Sequence, residues 1–110
     1  NTYFPPTQPT PRRCHALGKA IRRAVESWEK DARVGIVASG GLSHFIVDEE
    51  LDREVMRAFG DGDSGALAAI HPRKLQSGSS EIRNWICASA AETKVNRRKN
   101  HPPGTLNSRF

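Results

Sequence analysis

A histidine that follows a pair of glycines is the first feature of this 110-residue sequence that suits chemistry. Gly40 and Gly41 permit sharp turns and close approaches that a Cβ would forbid, and His44 lies just beyond them. Histidine moves protons near neutral pH, so His44 is a candidate acid–base residue. Taken alone, a loop histidine that only forms hydrogen bonds is the simpler interpretation.

A carboxylate in the segment SGSSEIRNW, residues 77–85, is the second candidate. Ser79 or Ser80 is expected to cap a helix there, which places Glu81 in the first turn. A carboxylate at that position suits a divalent cation, but it also compensates the positive end of a helix dipole. The residue pattern alone leaves both interpretations open.

The two segments together, in this order, resemble the catalytic subunit of class III extradiol ring-cleavage dioxygenases, the protocatechuate 4,5-dioxygenase and gallate dioxygenase type. The resemblance rests on GGLSHF (40–45), on SGSSEIRNW and on the opening NTYFPPTQPTPRRC, and it covers about residues 1–90. It implies that His44 is the catalytic acid–base residue and that Glu81 is a carboxylate ligand of Fe(2+). Two histidine ligands are then expected from an amino-terminal part that has no counterpart here.

The same resemblance implies the partners and the extent of the chain. The substrates would be a catechol-type aromatic acid and dioxygen, and a small partner subunit or a homo-oligomer would complete the protein. Residues 1–91 would be the carboxyl-terminal part of the extradiol dioxygenase catalytic (beta) domain, and this fragment alone would be inactive.

Hydrophobic patterns predict the elements that position these residues. Residues 34–38 are apolar without polar alternation, which predicts a strand buried on both faces and hence an α/β fold class, a fragment of a helix-flanked sheet domain. Four helices are predicted: Thr10 to about Lys30, Asp48 to Gly60, Asp63 or Ser64 to Ile70, and Ser79 or Ser80 to Ala90.

Two of these helices carry clear apolar stripes. The first stripe is Cys14, Leu17, Ile21, Val25 and Trp28, and the second is Leu51, Val55 and Phe59. The carboxylates around the start of the second helix, Asp48, Glu49, Glu50 and Asp52, are explained by the helix dipole and are assigned no chemistry.

Basic charge is concentrated at the carboxyl end. Residues 1–91 carry 12 basic and 11 acidic residues, whereas residues 92–110 carry five and one. Few apolar residues interrupt this last stretch, which predicts a basic, disordered C-terminal tail and no nucleic-acid partner for the domain. The alternative function is a catalytically silent remnant or binding module whose tail contacts a polyanion.

The two cysteines and one serine complete the candidates. Cys14 and Cys87 lack metal-ligand spacing and fall on helical apolar faces, which predicts free thiols and a cytoplasmic protein. The sequence contains no apolar run long enough for a membrane span. The hypothesis of a serine hydrolase centred on Ser43 is weakly supported, because GGLSH lacks the glycine that should follow the serine by two residues.

Overall fold

The computed structural model describes residues 1–92, and this part of the chain is built from helices. Helix α1 spans Pro11–Glu26, α2 spans Glu49–Asp61, α3 spans Ser64–Ala68 and α4 spans Ile82–Ala91. Two 3-10 turns, Pro72–Lys74 and Ser77–Glu81, lie between α3 and α4. Of the predicted tail, only Glu92 falls within the described residues.

The predicted α/β fold class is wrong for the described residues, because none of residues 1–92 forms a strand or a sheet. Residues 34–38 form no regular secondary structure, and Val37 remains 77% exposed. A strand needs a neighbour to accept and donate its ladder hydrogen bonds, and residues 1–92 provide no such neighbour. The β-branched run suits a strand, but a side-chain pattern cannot report whether a partner strand is present.

Helix starts follow the sequence closely because their signals are local. Thr10 Oγ1 accepts a hydrogen bond from Arg13 N at 3.1 Å, and Pro11 occupies the first turn of α1. Asp48 caps α2 through Leu51 N at 3.0 Å. The side chain of Asp63 caps α3 in the same way.

Two helix ends differ from the prediction. Helix α1 ends at Glu26, one turn before Lys30. Helix α2 continues through Gly60 and ends at Asp61, because Gly62 adopts the left-handed conformation (φ 66°) that terminates the helix.

The core lies where α4 meets α2 and α3, with α1 packed along α4. Its buried members are Cys14, Leu51, Val55, Ala58, Leu67, Ile70, Leu75, Ile82 and Ile86. No helix in residues 1–92 combines the length and apolar character that crossing a membrane requires.

Helix α1 buries a different face from the one its apolar stripe predicted. Cys14 and Gly18 are buried, whereas Leu17 is 54% exposed and Ile21 is 36% exposed. The cause is a close backbone approach: a Cβ on Gly18 would lie 2.2 Å from the carbonyl oxygen of Cys87. Small residues set this helix contact, so the larger apolar side chains of α1 are left at its margin.

Candidate active site

The loop that carries His44 is fastened to the start of α4. Asn84 Nδ2 donates to the carbonyl oxygen of Ser39 at 2.6 Å, and Trp85 Nε1 donates to that of Gly40 at 3.2 Å. The indole of Trp85 also packs edge-to-face on Phe59 of α2, with ring centroids 5.2 Å apart. Asn84 and Trp85 therefore position the glycine loop.

His44 and Glu81, the two residues singled out from sequence, meet in the structure. His44 Nε2 lies 3.3 Å from Glu81 Oε2, and the same oxygen accepts a hydrogen bond from Gly41 N at 3.0 Å. Their side chains are 36% and 40% exposed, so the pair is open to solvent on one side. The arrangement joins a proton carrier to an anionic oxygen at the surface of the helical core.

The protonation of the His44 ring follows from its hydrogen bonds. Nδ1 lies 2.8 Å from the carbonyl oxygen of Leu42, and because a carbonyl only accepts, Nδ1 must hold a proton. Nε2 is therefore the nitrogen that gains or loses a proton. It is also the nitrogen that faces Glu81.

Glycines make this close packing possible. Gly40 adopts φ 105°, and a Cβ there would lie 2.7 Å from Glu81 Oε2. At Gly78 a Cβ would lie 2.6 Å from the Cβ of His44. Both positions therefore require the absence of a side chain if His44 and Glu81 are to remain in contact.

Ser43 and Asp52 form a second network that the sequence did not reveal. Ser43 N donates to Asp52 Oδ1 at 2.8 Å, and Ser43 Oγ donates to Asp52 Oδ2 at 2.5 Å. The hydroxyl also accepts from Asp48 N at 3.1 Å. The helix dipole alone accounts for Asp52 in the sequence, and a serine nine residues before an aspartate has no diagnostic spacing that would have indicated otherwise.

The start of α4 differs slightly from the prediction. Glu81 is the last residue of the 3-10 turn and the N-cap of α4 rather than a residue of the first helical turn, and its side chain makes no capping hydrogen bond. Neither Ser79 nor Ser80 is the N-cap residue, and Ser80 Oγ is buried without a hydrogen-bond partner among residues 1–92. The carboxylate of Glu81 is thus turned toward the loop instead of its own helix.

Arg83 is a structural residue of the site. Its guanidinium is buried and donates to the carbonyl oxygens of Pro9 at 2.7 Å and Leu75 at 2.5 Å. Burial lowers the pKa of Arg83, with the Cys14 thiol acting in the opposite direction. The side chain ties the segment before α1 to the segment before α4.

Two cavities lie beside the loop rather than at the His44–Glu81 pair. One, of about 180 Å³, lies between the end of α1, residues 34–36 and α4, and the other, of about 130 Å³, is lined by Val37, Ala38, Phe59 and Trp85. The site therefore lies on an open surface next to an apolar groove.

The donor atoms present fit one ligand of a metal ion, not a complete site. The partly exposed carboxylate of Glu81 is a suitable oxygen ligand for a divalent cation. Within residues 1–92, no three His, Cys, Asp or Glu side chains are grouped closely enough to hold a metal.

Comparisons with known proteins place this chain in a family. Residues 2–103 match the family described as the catalytic LigB subunit of aromatic ring-opening dioxygenase. The chain is also 56% identical over 41 residues to gallate dioxygenase of Pseudomonas putida (strain KT2440), a match that covers 37% of this chain and 12% of that relative. No solved structure matches. The family match covers most of the sequence, and the chain belongs to the catalytic LigB subunit family of aromatic ring-opening dioxygenases.

Proposed function

We propose that this chain is the carboxyl-terminal part of a subunit that opens a catecholic ring beside its hydroxyls and inserts both oxygen atoms of dioxygen. Family membership and the similarity to a gallate dioxygenase support the reaction class. The matched stretch covers about one-eighth of that relative, so the complete activity is proposed for a longer polypeptide. The product would be a semialdehyde acid.

The observation that carries the proposal is the contact between His44 and Glu81. The two residues come from separate motifs, a glycine loop and a helix start, and their reactive atoms lie 3.3 Å apart. Ring opening of a catechol requires a group that moves protons beside a group that binds a cation, and this pair provides one of each.

His44 is proposed to carry the proton. With Nδ1 held by Leu42, Nε2 accepts the proton of a substrate hydroxyl and returns it later in the reaction. The hydrogen bonds on Gly40 and Gly41 keep the loop in place while the proton moves.

Glu81 is proposed to be the anionic ligand of ferrous iron, with the remaining ligands contributed by residues outside this chain. When bound, Fe(2+) supplies the redox chemistry that dioxygen requires and a centre for the catechol oxygens. Gly41 N–H donates to one carboxylate oxygen and thereby orients the group, as hydrogen bonds commonly do for carboxylate ligands.

The free cysteines support a reducing compartment such as the cytoplasm. Burial raises the pKa of both Cys14 and Cys87, so both remain protonated thiols near neutral pH. We further propose that another subunit or a second copy completes the assembly, since the family is described as a catalytic subunit.

Replacing each residue in a polypeptide extended to the family's full length tests the two roles. His44→Gln should lower kcat roughly 100-fold or more with nearly normal iron content, because it removes a proton carrier and leaves the metal ligand intact. Iron assay beside oxygen uptake with protocatechuate or gallate measures both quantities. His71→Gln is the matched control, since its ring only caps a 3-10 turn. Equal loss of iron and activity in His44→Gln would contradict the assigned role.

Glu81→Gln should instead lower iron occupancy, because a neutral amide is a much poorer ligand for a divalent cation than a carboxylate. Glu50→Gln removes the same charge from an exposed position on α2 and should leave iron content unchanged. Normal iron and turnover in Glu81→Gln would remove this residue from the site.

A further inference from the structure

Asp52 devotes both of its carboxylate oxygens to the residue that precedes His44. Oδ1 accepts from Ser43 N at 2.8 Å, and Oδ2 accepts from Ser43 Oγ at 2.5 Å. Within the described part of the chain, no lysine or arginine pairs with this carboxylate. Its charge is therefore neutralised mainly by two hydrogen bonds and the α2 dipole.

Helix α2 is a firm base for this contact. Asp48 caps the helix at 3.0 Å, and the side chains of Leu51 and Val55 are almost completely buried on the face that contacts the core. Asp52 lies in the first turn of α2, next to the buried Leu51. Its position is consequently fixed by packing that does not depend on the loop.

Three hydrogen bonds fix the orientation of Ser43. Its hydroxyl donates to Asp52 and accepts from Asp48 N, while its backbone N–H also donates to Asp52. Turning the residue would break three hydrogen bonds at once. His44 is the next residue along the chain, and its ring is hydrogen-bonded to the carbonyl oxygen of Leu42.

We propose that Asp52 is a positioning residue that acts through Ser43 to hold the His44 ring against Glu81. That the His44 ring transfers a proton rests on the proposed function. That Asp52 holds the ring against Glu81 does not. The other hydrogen bonds that join this loop to a helix start within the described residues come from the α4 side, through Ser39, Gly40 and Gly41. Asp52 holds the loop from the α2 side.

The reactivity of His44 toward diethylpyrocarbonate tests the proposal in the 110-residue chain. The reagent acylates a free imidazole nitrogen, and contact with Glu81 should slow its attack on Nε2. Peptide mass spectrometry gives a separate rate for each histidine, with His15 and His71 as references in the same sample. No iron, substrate or turnover is needed, so failure of this proposal is distinguishable from failure of the proposed function.

Asp52→Ala should raise the His44 rate about fivefold, which corresponds to the loss of one ordinary hydrogen bond. The rate should equal that of Glu81→Ala, and the double variant should be no faster, because both changes break the same contact. Glu50→Gln removes a carboxylate from the same turn and should leave the rate unchanged. Ser43→Ala removes the hydroxyl but keeps the N–H that donates to Asp52 Oδ1, so it should raise the His44 rate by less than Asp52→Ala does. Ser43→Thr keeps the hydroxyl and should retain the slow rate.

A wild-type His44 rate in Asp52→Ala would overturn the proposal. Equal acceleration of His15 and His71 would indicate general loss of structure, in which case Ser43→Ala decides, since it leaves Asp52 on α2. If Ser43→Ala accelerates all three histidines, or none, Asp52 does not position His44 through the Ser43 hydroxyl, and the proposal is overturned.

Discussion

At the scale of single residues, one oxygen atom joins the two motifs. Glu81 Oε2 contacts both Gly41 N and His44 Nε2, so loop and helix meet on the same carboxylate. Sequence indicated both His44 and Glu81, because the residue types suit the chemistry and their motifs resemble one family. Their contact was not predictable from spacing, since a loop and a helix start have no fixed register. The roles of both residues stay predictions.

Gly78→Ala tests how tightly the His44 position is enclosed. A methyl group there would lie 2.6 Å from the His44 Cβ, so the loop must move away from Glu81. We expect a loss of about 1–3 kcal/mol in the free energy of unfolding, typical of an overpacked site. Urea denaturation measures it. Gly35→Ala, whose Cβ would meet nothing within 4 Å, should change stability by less than about 0.5 kcal/mol, and an equal loss in both variants would contradict this.

At the scale of the elements, local signals succeeded and long-range ones failed. The caps Thr10, Asp48 and Asp63 were predictable because each bonds a backbone N–H only three residues away. The strand at residues 34–38 was not, because pairing depends on another segment of chain. The buried face of α1 was missed for a related reason: Gly18 carries no hydrophobic signal, yet it sets the contact with α4.

The same glycine-to-alanine change should have opposite effects on two helices. Gly18→Ala forces α1 away from α4, because the new methyl would overlap the backbone oxygen of Cys87, and we expect a loss of at least about 1–3 kcal/mol. Gly60→Ala meets nothing within 4 Å and should stabilise α2 by about 0.5–1 kcal/mol through better helix propensity. Thermal unfolding followed by circular dichroism compares them. A rise of Tm in both variants would show that α1 and α4 tolerate a methyl group at Gly18, and a fall of Tm in both would contradict the expected gain at Gly60.

At the scale of the whole molecule, much apolar surface is uncovered. Phe45, Ile46 and Val47 follow His44 directly and are 96%, 85% and 69% exposed. An exposed run of this kind favours association with other surfaces. It agrees with a site that this chain forms only in part, since the surface beside the candidate catalytic residue is left uncovered.

The 110-residue chain should therefore neither bind ferrous iron tightly nor open catechol rings. One carboxylate cannot replace a three-ligand face, and residues 1–92 hold no cluster of three metal-binding side chains. Anaerobic titration with ferrous iron, followed by oxygen uptake with catechol, protocatechuate and gallate, measures both properties. Stoichiometric binding with ring cleavage would contradict the expectation and would require ligands among His15, His71 and His101.

The contact between Gly18 and α4 also has a consequence for the order of folding. It joins residues near opposite ends of the described chain, so an entropic cost of loop closure must be met before α1 gains any burial. Helices α2 and α3 and the turns before α4 are neighbours along the chain and meet at lower cost. We expect α1 to dock last, which pulse-labelling hydrogen exchange would detect as protection of its amides after those of α2. Simultaneous protection of both helices would instead indicate a single folding nucleus that already includes the α1–α4 contact.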